Sequence, residues 1–124
     1  MRTPALAATV ALAALTSAAP LRADPPLAPE HSTTCKPTQV AVFPGSRVHV
    51  KCDKPWTNPS TGAKAWYFAI ALTDPAAPLV QAAGDTAIGS GKQVLVYFRT
   101  ESLDNPPGCL ASDCRKLTGL AVVN

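Results

Sequence analysis

The 124-residue chain has few of the side chains that most enzyme and metal chemistry draws on. It holds two histidines, and charged residues make up only 15% of it. His31 lies in a polar, proline-rich stretch and reads as solvated, while His49 sits on an alternating segment. No second well-placed imidazole is therefore at hand for acid–base or nucleophilic work. Glu101, Asp104 and Asp113 cluster in sequence, but acidic side chains in a turn-rich surface loop are ordinary. The reading is of a protein that is not an enzyme and uses no cofactor.

Other motifs are missing too. The four cysteines are separated by 16, 56 and 4 residues, with none of the two-residue gaps of zinc knuckles or redox motifs, so no metal site is expected. Gly89-Ser90-Gly91-Lys92 follows an expected helix and precedes an expected strand, the reverse of a phosphate-binding loop. Proline in the middle of Asn58-Pro59-Ser60 rules out a glycosylation sequon. No internal repeat of useful length is present.

Only one long apolar run exists, and it is N-terminal. Arg2, the run Ala5–Leu15 and the small residues Thr16–Ala19 have the three parts of a secretory signal. Cleavage is expected after Ala18 or Ala23, and residues 1–23 are assigned to the signal. The run is too short to cross a bilayer stably, so no membrane span is expected once it is removed. Loss of Arg2 and Arg22 leaves nine basic against eight acidic side chains. That balance gives no electrostatic footprint for nucleic acid. An exported, periplasmic or secreted protein of about 100 residues is implied, near the size where disulfides begin to help.

Residues 24–37, with prolines at 25, 26 and 29, read as a flexible leader, and 38–124 as a single domain. Val40 and Val42, then Val48, Val50 and Cys52, alternate with polar residues on either side of Pro44-Gly45-Ser46, which predicts a β-hairpin. Its second strand carries Arg47, His49 and Lys51 on one face; the solvated side of an antiparallel sheet is favoured over a ligand-binding strip. Lys54–Lys64 reads as a loop. Ala65–Thr73 predicts a strand with Trp66, Phe68, Ile70 and Leu72 in the core, and Tyr67, Ala69 and Ala71 on a face that another chain or a partner subunit could cover. Asp74-Pro75 predicts a helix start, with Leu79, Val80, Ala83, Ala87 and Ile88 as its apolar stripe and Gly89-Ser90-Gly91 as its end. Strands are expected at Val94–Thr100 and Leu117–Val123, with a turn-rich loop from Glu101 to Arg115 between them.

Four cysteines allow three pairings. A turn at Pro44-Gly45 would bring Cys35 and Cys52 to neighbouring strand ends, and Cys109 and Cys114 are near enough to clip their own loop. The expected disulfides are therefore Cys35–Cys52 and Cys109–Cys114.

Strand, strand, strand, helix, strand, strand is the connectivity of the OB-fold, so a mainly β, five-stranded antiparallel OB-like barrel is expected, with one short helix between strands 3 and 4. A small β-sandwich is the competing fold. The run Gly108-Cys109 to Cys114-Arg115, the closing strand Leu117–Val123 and the Tyr67-Phe68 strand resemble a family of small, uncharacterised exported bacterial proteins. The layout is also distantly similar to the B subunits of AB5 toxins, OB-folds that assemble into rings and bind glycans; that likeness implies a possible oligomer and carries over no binding residue. The expected function is a non-catalytic binding or interaction module of the bacterial cell envelope, with an unidentified protein or glycan partner. Trp56, Asn58, Lys64 and Tyr97 are its candidate contacts, although Trp56 can equally fold back as a lid on the core. The alternatives are a secreted effector or inhibitor acting on another protein, or a glycan-binding, toxin-like B subunit.

Overall fold

The computed structural model describes residues 30–124; the expected signal, and the leader as far as residue 29, lie outside the described residues. The strands are β1 (Glu30–Cys35), β2 (Pro37–Phe43), β3 (Arg47–Thr57), β4 (Lys64–Ala71), β5 (Gln93–Arg99) and β6 (Cys114–Val123), and helix α1 (Ala77–Ser90) lies between β4 and β5. They form one six-stranded sheet in the order β1-β5-β6-β4-β3-β2. The fold is mainly β with a single α-helix among the described residues. The finer expectation of five antiparallel strands is corrected. The sheet has a sixth strand, the β4–β6 pair is parallel, and the ladder does not close on itself. The parallel pair is possible because α1, β5 and the long loop after it give the chain room to cross over before β6 begins.

The sixth strand is β1, in a segment expected to be leader. No proline falls between Pro29 and Pro37, and the backbone pairs with β5 from Glu30↔Arg99 to Cys35↔Val94. The strand is polar and is held by its ladder and a disulfide rather than by apolar content. His31 is not solvated but half-buried, its ring centroid 5.8 Å from that of Phe98 and 5.4 Å from that of Trp56.

β1 and β2 lie at opposite edges of the sheet order yet are separated only by Lys36. The sheet must therefore curl until its edges meet there. Lys36 N–H donates to Asp53 Oδ1 at 2.9 Å, and Asp53 N–H returns a 2.9 Å bond to Lys36 O. Beside them the Cys35–Cys52 disulfide spans a Cα–Cα distance of 5.6 Å. It joins β1 to β3, rather than closing the β2–β3 hairpin, where the ladder partner of Cys52 is Pro37. Two hydrogen bonds, one of them backbone to backbone, and one covalent bond thus bridge the seam beside β1 and β3.

Inside the curl, Val48, Val50, Cys52, Phe68, Ile70, Val94, Val96, Phe98 and Leu117 form the buried core, with Trp56 packed against it. Helix α1 covers this core with Ala77, Val80, Gly84 and Ala87. The expected stripe is corrected, since Leu79 is 72% exposed and Ile88 is 41% exposed. The stripe rotates because Gly84 lets the helix come close to β2: a Cβ at Gly84 would stand 2.5 Å from Val40 Cγ2. Asp74, expected to cap the helix, lies two residues before the N-cap position, which Ala76 occupies. Its Oδ1 accepts the Ala76 N–H at 2.9 Å, and Gly91, at φ +67°, ends the helix in the left-handed region.

β3 runs on through Thr57, beyond the expected start of a loop at Lys54. Pro55 is accommodated because the β3–β4 register is irregular between Lys51 and Trp56, so no ladder bond is required of it. In β4, Trp66 and Tyr67 both donate their N–H to Asp113 O, at 2.8 and 3.1 Å. This local bulge puts Ala65 in the core and turns Trp66, expected inward, toward the outer face.

Candidate functional site

The outer face of β3 and β4 is not an open solvated surface. Ala69 is fully buried there beneath Cys109 and Cys114, with Tyr67 packed alongside. The element that covers this face, for which another chain or a partner subunit was one option, is this chain's own loop between β5 and β6. Its shape is set locally. Cys109–Cys114 clips it at a Cα–Cα distance of 5.2 Å, Gly108 takes φ +77°, and Cys114 N–H bonds Leu110 O at 2.9 Å. The buried Arg115 guanidinium ties it further, donating through Nη1 to Ala111 O at 2.6 Å and Cys114 O at 2.7 Å.

The loop is also fastened to the β2–β3 turn. Ser46 Oγ donates to Pro107 O at 2.7 Å, and Arg47 Nη1 donates to the same carbonyl at 3.3 Å and to Ser46 Oγ at 3.3 Å. Between turn and loop lies a cavity of about 300 Å³, lined by Gln39, Arg47, His49, Tyr67, Gly108 and Cys114. A second cavity, of about 250 Å³, lies against Lys51, Trp66, Tyr67 and Asp113. Tyr67 is common to both, so the face carries a two-part cleft.

Period-two alternation on β3 aims Arg47, His49 and Lys51 at this face. They interleave with rings. The Arg47 guanidinium lies 4.1 Å from the Phe43 ring centroid, the His49 ring is 5.0 Å from Phe43 and 4.9 Å from Tyr67, and Lys51 Nζ lies 5.6 Å from Tyr67. Such cation–ring contacts stiffen long side chains against a rigid sheet.

His49 is 8% exposed, and its Nε2 is buried with no hydrogen-bond partner among the described residues. Burial pushes its pKa below the ordinary imidazole range; the Arg47 charge acts in the same direction, Asp113 opposes it, and Lys51 adds to the lowering. At neutral pH the imidazole is thus a neutral group capable of donating or accepting. Arg47 Nε is likewise buried without a partner. Unsatisfied buried polar atoms are uncommon in folded proteins. Among the described residues the others are Arg99 Nε, Asn105 Oδ1 and Arg115 Nε, and His49 and Arg47 are the two whose side chains line this cavity. The sequence signal for this site was the cationic face of the hairpin, set aside as a solvated strip; what it lacked was the covering loop.

Of the four residues expected to bind, Trp56, Asn58 and Lys64 share the β3–β4 hairpin end, away from this cleft, and Tyr97 lies apart on β5. Trp56 packs into the core, its ring centroid 4.9 Å from that of Phe98. Asn58 shapes the β3–β4 turn, its Oδ1 accepting the N–H groups of Ser60 at 2.9 Å and Thr61 at 3.3 Å. Lys64 opens β4 opposite Thr57 and is exposed. Tyr97 is 38% exposed on β5 and lies over Gly119, where a Cβ would approach its Cδ2 to 3.2 Å. No cluster of three or more His, Cys, Asp or Glu side chains able to hold a metal is found among the described residues. No helix among them is long and apolar enough to cross a membrane.

No protein-family model matches the chain, and no curated protein matches it.

Proposed function

We propose that this is an exported, non-catalytic binding module that seats its ligand in the cleft on the outer face of β3 and β4. The observation that carries the reading is the pair of buried, unpartnered nitrogens, His49 Nε2 and Arg47 Nε, on side chains lining a cavity between two mutually fastened loops. The two disulfides are compatible with export.

The fold supports the same location. If β1 and β2 count as one strand bent at Lys36, five strands remain, the helix falls between the third and fourth, and the barrel is partly open. That is an OB-like layout, in which ligands are held on the face of strands 2 and 3 between the loop joining strands 1 and 2 and the loop joining strands 4 and 5. In this chain those elements are β3, β4, the turn at Pro44–Ser46 and the loop carrying Gly108. A toxin-like B subunit is the narrower form of this reading. Light scattering on the purified protein separates a ring from a monomer.

The test is a glycan and peptide array probed with the disulfide-bonded protein and with Tyr67→Ala, each checked for folding. The expected result is a ligand held by the native chain, lost with Tyr67→Ala and recovered chemically unchanged. Ligands that all survive Tyr67→Ala, or a ligand that is turned over, would overturn the proposal.

A further inference from the structure

Building on that proposed cleft, we infer that its ligand is elongated and polar and carries one oxyanion group, a carboxylate or phosphate, which sits at Arg47 and His49. Both of Arg47's side-chain hydrogen bonds among the described residues leave from Nη1. The Nε–H is left uncommitted in a guanidinium that presents a planar fork of donors. His49 lies beside it with its own uncommitted Nε2, and the Gln39 side chain lines the same cavity. The geometry therefore offers an oxyanion donors from three side chains on two adjacent strands. Such charge-assisted bonds are roughly twice as strong as neutral ones.

The other half of the cleft differs in kind. Lys51 and Asp113 place opposite charges there, next to Trp66 and Tyr67. A second anionic group would meet the Asp113 carboxylate, whereas hydroxyl or amide groups could use both charges. One anionic end and a polar remainder straddling Tyr67 is the chemistry that fits both halves. The charged and titratable groups facing His49 are Arg47 and Lys51 from its own strand, Tyr67 from β4 and Asp113 from the covering loop.

The test is an NMR titration of the disulfide-bonded protein with sodium D-glucuronate, inorganic phosphate and D-glucose at matched ionic strength. It follows the His49 imidazole and the amides of Arg47 and Tyr67. The inference expects saturable shifts with at least one of the anions, an upward move of the His49 titration midpoint on binding, and no comparable response to glucose. Tighter binding of glucuronate than of phosphate identifies a sugar-borne carboxylate, and the reverse order identifies a phosphate group. Arg47→Met should weaken anion binding by about tenfold, or about 1.4 kcal/mol; the His49 response of the unaltered protein decides the matter if that variant misfolds. Equal shifts with glucose, or none with either anion, would overturn the inference. An array ligand without an anionic group that Tyr67→Ala abolishes would overturn it too, while leaving the proposed cleft standing.

Discussion

Gly108 lies against the Arg47 guanidinium so closely that a Cβ at that position would stand 2.0 Å from Nη1. Two residues 61 apart in sequence thus define one wall of the cleft, and their approach requires glycine twice, once for space and once for φ +77°. Gly108→Ala should displace Arg47 and loosen the bond from Ser46 to Pro107. A loss of about 1–2 kcal/mol in chemical denaturation is expected, with weakened ligand binding. Native stability with unchanged binding would mean that the loop does not position Arg47.

Gly84 poses an opposite choice. In an isolated helix, alanine is better than glycine by about 1 kcal/mol. Here its Cβ would meet Val40 Cγ2 at 2.5 Å, and overpacking of this kind costs about 1–3 kcal/mol. Gly84→Ala should therefore destabilise the protein, and in a Val40→Ala background the sign should reverse. Denaturation of both singles and the double mutant checks this.

His49 makes stability depend on pH. Its folded pKa lies below the unfolded value of about 6.5. In the window between the two, the unfolded chain binds more protons than the native one. Its contribution is thus fully present above about pH 6.5 and is lost as pH falls toward the lowered native value. Replacement by glutamine should flatten that part of the stability–pH curve, which urea midpoints taken between pH 4 and 8, as rough limits, would reveal.

The seam between β1 and β3 rests on the Cys35–Cys52 disulfide, across 17 residues of sequence. The double variant Cys35→Ala, Cys52→Ala should lose about 3 kcal/mol. Amide exchange should rise first in β1, at Thr33 and Thr34, because the ladder there has only β5 as partner. Uniform loss of protection across the sheet would contradict a local role for this bond.

Where one strand face is buried, the sequence was plain. Val48, Val50 and Cys52, and likewise Val94, Val96 and Phe98, alternate because only one face meets the core. The mainly β class and the helix after Asp74 follow from such patterns. β1 was hidden because Glu30–Thr34 carries no apolar alternation, and its pairing is made by backbone to a strand more than sixty residues away. Trp66 was misplaced by a bulge that depends on the Asp113 carbonyl. The cleft was half legible. The sequence marked Arg47, His49 and Lys51 as an unusual face, but their burial comes from the docking of the Gly108 loop through Pro107, a tertiary contact no local pattern carries.

The most direct test is calorimetric titration of one array-selected ligand into four proteins: the native chain, Arg47→Met, Trp56→Leu and the double variant Asn58→Ala, Lys64→Ala. With the ligand on the outer face of β3 and β4, affinity should fall by about tenfold or more for Arg47→Met, about 1.4 kcal/mol. The other two variants should bind within about twofold of the native chain, even though Trp56→Leu lowers stability through the core. Unchanged binding by Arg47→Met, with loss in the Trp56 or Asn58 and Lys64 variants, would contradict the account and move the site to the β3–β4 hairpin end.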